Sequence, residues 1–232
     1  MTIRELWAQR DSKLLIVLGI APVLYMVYFY AGQSAFFSWL FRPRLGVTQL
    51  QAASVAYRYG LALIVLGLMP VLVIKLSFRD RLSDYGLGLH EVKYNLRFVL
   101  LGLLVVVPLM YLSSRRPEYR NLAPQIASAR GSVPVFLVSS GLYLLYYVGY
   151  EVFFRGFLLF GIERRLGAGP AILVTTAMTT LVHITRPVSE YAAALIAGFA
   201  FGYVALRTRS IWGVLLLHFL TGASLDFFCA FF

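Results

Sequence analysis

Long apolar stretches separated by short polar or basic connections run along the whole chain, and seven of them are long enough to read as transmembrane helices. They are Leu14 to Tyr30, Ala53 to Leu76, Phe98 to Leu112, Val133 to Phe160, Pro170 to Ile184, Tyr191 to Leu206 and Ile211 to Phe231, with room for an eighth. Two shorter pieces, Phe36 to Phe41 and the amphipathic Asn121 to Arg130, read as interfacial or re-entrant elements. The longest polar connection, Ser77 to Lys93, carries the turn signals Asp84, Gly86 and Gly88 and separates a two-helix front from the rest. The pattern predicts an all-α polytopic bundle of about seven to eight helices, a single integral membrane domain over 1–232.

Composition strengthens that picture. Hydrophobic residues make up 60% of the 232 and charged residues 13%, where a soluble protein has about a quarter of its residues charged. The mean hydropathy is +0.77. A net charge of +11 raises the question of nucleic acid, but the basic residues are scattered at the ends of apolar runs, where they anchor helices and set orientation. No nucleic-acid partner is expected. The one cysteine, Cys229, forms neither an internal disulfide nor a thiolate metal cage.

The first run follows Arg4, Arg10 and Lys13, as a signal peptide would, but Tyr25 to Tyr30 is bulky and no small-residue cleavage pattern precedes Gln33. It is expected to stay as a first membrane helix. Of the Lys and Arg residues between spans, 12 (Arg4, Arg10, Lys13, Lys75, Arg79, Arg81, Lys93, Arg97, Arg164, Arg165, Arg207, Arg209) fall on the side of the N-terminus and 7 (Arg42, Arg44, Arg115, Arg116, Arg120, Arg130, Arg186) on the other. The positive-inside rule therefore favours a cytoplasmic N-terminus and an exterior C-terminus.

Inside this apolar chain, Glu151 stands out. A carboxylate at the centre of a membrane helix costs about 3 kcal/mol on insertion scales, so such groups usually face a polar interior and mark function. Arg155 follows it at i+4, the spacing and order that let the two pair on one helix face. Spacing alone leaves open whether the pair is a structural ion pair that fixes helix rotation or part of a catalytic site. His183 and His218 lie in later runs, and a rise of about 1.5 Å per residue puts Glu151, His183 and His218 roughly 16, 20 and 12 Å from the cytoplasmic ends of their helices. Overlapping depths permit one shared site.

The plainer assignments for the histidines are a bond from His183 to a carbonyl or to Thr179, Thr180 or Thr185, and a partner for His218 in Thr221. Arg186 and Glu190 follow His183, and Asp226 lies two turns beyond His218; interfacial charge is the plainer reading of Glu190 and Asp226. The tyrosines at 143, 146, 147 and 150 read as site lining or as packing. Two histidines and a glutamate would suffice for Zn²⁺, but they are scattered and Arg155 competes for the carboxylate. No cofactor is expected.

Tyr150-Glu151-Val152-Phe153-Phe154-Arg155-Gly156, then His183 one helix on, then Leu206-Arg207-Thr208-Arg209-Ser210-Ile211-Trp212 leading into Leu217-His218, resemble the CPBP family. These are the CAAX-protease and bacteriocin-processing (Abi) intramembrane endopeptidases. The likeness covers about the last 100 residues, which makes 133–231 the expected catalytic core. It implies a helical membrane fold in which a glutamate and the first histidine activate water, the arginine and second glutamate hold the site together, and the last motif stabilises the oxyanion. Carried over, Glu151 and His183 polarise water, Arg155 fixes Glu151 and His218 donates to the oxyanion, a contact worth about 3 kcal/mol when preorganised.

Three positions depart from the family pattern: Tyr150 replaces the first glutamate, Thr179 the phenylalanine four before the histidine, and Gly222 the Asn or Asp four after His218. Glu151 itself or Glu190 would then serve as base, and Asp226 or a backbone group would replace the lost Asn. The expected function is hydrolysis of a peptide bond in a membrane-associated or lipidated peptide, in a bacterial plasma membrane. Two rivals stand beside it: an inactive scaffold or immunity protein of the same fold, and a small transporter with a buried proton relay.

Overall fold

A computed structural model describes residues 12–42 and 44–232. Arg4 and Arg10, which entered the orientation count, lie outside the described residues.

Backbone polar groups in hydrocarbon must be satisfied within the segment, so an apolar chain of this kind folds as helices. Among the described residues there is no strand. Helices α1 (Ser12–Ala31), α2 (Ser34–Phe41), α3 (Val47–Phe78), α4 (Val92–Ser114), α5 (Val133–Leu166), α6 (Ala168–Leu181), α7 (Val188–Thr208) and α8 (Trp212–Phe231) follow in chain order. Six of them, α1, α3, α4, α5, α7 and α8, are long and apolar enough to cross a membrane. This is an integral membrane protein. Only 6% of the apolar window of α4 is buried, so Leu100, Leu101, Leu104 and Val105 present a face that lipid covers.

The predicted run Pro170 to Ile184 is shorter than expected. As α6 it holds 14 residues, about 21 Å at 1.5 Å per residue against a hydrocarbon core of about 30 Å. His183 therefore lies in the tight turn after the helix, whose amide donates to Thr180 O (3.0 Å) while Arg186 N–H donates to His183 O (2.8 Å). The amphipathic stretch 121–130 is irregular, with one 3-10 turn at Ala127–Ala129.

The core centres on α5. From Val152 to Phe160 its backbone widens to π-helical hydrogen bonding, and every residue of that stretch is buried. Such π segments collect at functional sites. Just before it, α5 crosses α3 so closely that a Cβ added at Gly149 would lie 2.4 Å from Ala62 O. Small residues permit this approach where lipid gives helices no hydrophobic reason to associate. α8 runs antiparallel to α5, tied at its far end by Gly131 N–H to Ala230 O (3.1 Å) and Arg130 Nη1 to Cys229 O (3.0 Å).

At the end near Lys13, one carboxylate joins three elements. Asp80 accepts from Lys13 Nζ of α1 (2.8 and 3.0 Å), from Tyr85 Oη (3.0 Å) and from Arg164 Nη1 of α5 (3.3 Å). Burial alone would raise its pKa, but the bonds from Lys13 and Tyr85 and the charges of Lys13 and Arg164 outweigh it and hold the carboxyl below its ordinary value of 3.8.

Two outcomes are expected. Gly149→Val forces α3 and α5 apart at the Ala62 carbonyl and costs about 2 kcal/mol, measured by unfolding in detergent or bicelles. Asp80→Asn costs about 1 kcal/mol at pH 7, the scale of an ion pair near a surface. Because the folded pKa of Asp80 is depressed, its contribution is complete above about pH 4 and disappears as pH falls through the lowered value. The melting temperatures of D80N and the native protein therefore converge in acid.

Candidate active site

Glu151, fully buried near the middle of α5, makes its closest polar contact with the opposite helix. Its Oε1 lies 2.5 Å from His218 Nδ1 on α8. Its Oε2 lies 3.7 Å from Arg155 Nε, one turn along α5. The i, i+4 pair foreseen from spacing is thus present, as an ion contact longer than a hydrogen bond. Glu151 Oε2 and Arg155 Nε and Nη1 have no hydrogen-bond partner among the described residues. The guanidinium also sits over the Phe201 ring, 5.8 Å from its centroid.

Aromatic edges enclose His218. The rings of Tyr147, Tyr150 and Phe201 stand 4.7, 5.3 and 5.5 Å from its imidazole, all edge-on. Tyr150, where the family pattern has an acid, is itself buried and packs on Phe154 at 4.5 Å. It contributes a dry wall on that side.

Of the two imidazoles expected at a shared site, His218 is the one that meets Glu151. Helix α6 stops before His183, so that imidazole is held elsewhere. His183 Nδ1–H donates to Thr179 O (2.7 Å), the plainer bond foreseen for it. Its Nε2 lies 3.9 Å from Glu190 Oε1, and Glu190 accepts from Arg186 Nε at 3.0 Å. His218 finds Glu151 rather than Thr221, whose hydroxyl donates to Leu217 O. The two imidazoles are within electrostatic range of each other, and Tyr146 senses both Glu151 and Glu190. The site is therefore two adjoining halves, a buried Glu151–His218–Arg155 cluster and a half-exposed His183–Glu190–Arg186 cluster.

Asp226 is also corrected. It is 6% exposed, a buried residue rather than an interfacial charge, within electrostatic range of Arg186, Arg130 and Tyr143. It completes an antiparallel ladder between α5 and α8, in which Glu151 faces His218, Tyr147 faces Gly222 and Tyr143 lies toward Asp226. Four residues down one helix match four up the other. The tyrosines at 143 and 147 share that register, and the i, i+4 rhythm 143, 147, 151 against 218, 222, 226 was the signal for it.

Beside the half-exposed cluster opens a groove of about 630 Å³ lined by Arg116, Glu118, Thr185 and Arg186 among others. Among the described residues no three His, Cys, Asp or Glu side chains are grouped to hold a metal ion.

The buried ion pair is open to a direct test. Arg155→Met leaves a buried carboxylate short of its cation and destabilises the fold by about 3 kcal/mol. The double variant E151Q/R155M recovers most of that loss, read by denaturant unfolding. Equal stability of R155M and the native protein would remove the ion pair from its structural role.

Compared with known families, the chain matches over residues 132–224 the model described as type II CAAX prenyl endopeptidase Rce1-like. No curated protein and no solved structure matches the chain.

Proposed function

We propose that this chain, which through residues 132–224 belongs to the type II CAAX prenyl endopeptidase family, hydrolyses a peptide bond in a membrane-held or lipidated peptide. The observation that carries the reading is the 2.5 Å contact between Glu151 and His218, a carboxylate and an imidazole joined inside an otherwise aromatic interior. Such a pair orients a base.

In this reading His218 Nδ1–H donates to Glu151, which fixes the tautomer and leaves Nε2 with its lone pair. Nε2 takes a proton from water as the water oxygen bonds to the carbonyl carbon of the peptide. The imidazolium then returns that proton to the amide nitrogen as the C–N bond breaks, giving a carboxylic acid and an amine. Arg155, 3.7 Å from the second oxygen of Glu151, holds that carboxylate in place on the shared helix face. His183, with Nδ1–H committed to Thr179 O, offers a second lone pair, and with Glu190 it holds the other hydrogen of the water. The basic groove at Arg116 and Arg186 suits the polar end of a peptide whose lipid remains in the bilayer.

A second reading, an inactive scaffold of the same fold, draws on Tyr150 standing where the family has an acid. One experiment separates them. A synthetic farnesylated peptide ending in Cys-aliphatic-aliphatic-X is presented in phospholipid vesicles to the native protein, to Glu151→Gln and to His218→Ala. Hydrolysis by the native protein with kcat lowered about 10³-fold in both variants is expected, on the scale of a lost general base. Equal turnover by folded E151Q would defeat the catalytic reading.

A further inference from the structure

Between the buried dyad and Asp226, the middle rung of the ladder is a tyrosine set against a glycine. A Cβ built on Gly222 would lie 2.1 Å from Tyr147 Oη and 3.0 Å from Tyr147 Cζ. Only a glycine leaves that space, and the phenol hydroxyl fills it. Gly222 is one helical turn from His218, so the hydroxyl lies against the same face of α8 that carries the imidazole. The Tyr147 ring meets the imidazole edge-on at 4.7 Å. Its hydroxyl donates to Tyr143 Oη at 3.1 Å within a buried pair.

We infer that Tyr147 is a further catalytic residue of the proposed hydrolysis, its hydroxyl donating a hydrogen bond to the peptide carbonyl oxygen as that oxygen becomes anionic. The inference rests on that reaction. His218 Nδ1–H is committed to Glu151, and its Nε2 must accept the proton of water during attack. The Arg155 guanidinium lies between Glu151 and the Phe201 ring.

Tyr147 keeps its proton throughout; the hydrogen bond to Tyr143 is exchanged for one to the oxyanion. The Tyr143 hydroxyl can then turn to donate to Tyr147 Oη, which strengthens the phenol as a donor. An Asn or Asp at 222 would clash with this arrangement.

The test uses the full chain in phospholipid vesicles with the same farnesylated peptide. Tyr147→Phe removes the hydroxyl and keeps the ring; kcat falls about 100-fold, the scale of losing one oxyanion donor, while KM stays within about threefold and the melting temperature is nearly unchanged. A purely structural role would not separate kcat from KM in this way. Gly222→Ala supplies a readout independent of turnover. Its methyl meets the hydroxyl, so it lowers the melting temperature of the native protein more than that of Y147F, a coupling that neighbours show and distant sites do not.

Native kcat in Y147F, beside a dead E151Q, overturns the role of Tyr147 and leaves the hydrolysis standing. Equal loss of melting temperature from Gly222→Ala in both backgrounds overturns the placement of the hydroxyl. Native turnover no greater than that of E151Q defeats the hydrolysis, and the inference with it.

Discussion

A carboxylate with no exposed surface inside a membrane protein persists only if its charge is met on the spot, and Glu151 is met twice: by His218 at 2.5 Å and by Arg155 at 3.7 Å. Removing one partner from such a cluster costs far more than the cluster contributes in net stability, because the remaining charge is left in a low dielectric. That asymmetry constrains the helices around it. α8 must bring residue 218 opposite 151, α5 must hold residue 155 on the same face, and α3 must come within backbone distance at Gly149 to keep this part of α5 in place. The buried π-helical stretch from Val152 to Phe160 follows directly on the carboxylate.

Once Glu151 and His218 are fixed, the antiparallel ladder leaves little freedom elsewhere. The positions four and eight residues before 151 face those four and eight after 218, so a large side chain at 147 demands a small one at 222. Tyr147 with Gly222 satisfies that volume condition. Asp226 next to Tyr143 keeps the far end of the ladder polar, near Arg130 and Arg186. Such an arrangement specifies register between two helices that lipid alone would let slide, since their apolar faces gain little by preferring each other over acyl chains.

Much of this was legible in the chain. The apolar runs mark the helices because the bilayer imposes length and continuity, and the Glu151–Arg155 spacing gives a shared helix face without knowledge of any other helix. Pairing between helices was not legible, because sequence spacing carries no rotation of one helix against another. Overlapping depths put Glu151, His183 and His218 within reach of one site without showing which imidazole the carboxylate meets. The early end of α6 was hidden too: Val182 and Ile184 continue the apolar pattern, while the tight turn is made by backbone bonds at Thr180, His183 and Arg186. Asp226 looked interfacial because it lies two turns from the chain end. Burial there comes from α5 and the 121–130 segment, whose irregular backbone leaves no periodic signal.

For the proposed hydrolysis, the exposed side of the site sets where water and substrate would reach the Glu151–His218 pair. Glu151 is sealed, and the Tyr150 ring closes one flank of His218 edge-on, so the acid of the family pattern has no counterpart at 150. The His218 side chain keeps 21% of its surface exposed, and those of His183 and Glu190 keep 19% and 23%. In that reading access lies on the His183 side, where Arg186 and the groove begin. An acid at 150 would have sat within the protein interior; Glu190 sits at a partly exposed edge, tethered by Arg186 at 3.0 Å. In the proposed hydrolysis it is from this edge that Glu190 would hold the attacking water. With Tyr at 150, the second carboxylate of the proposed reaction stands at 190, and the Glu151–His218 pair keeps its contact, its cation and one open side.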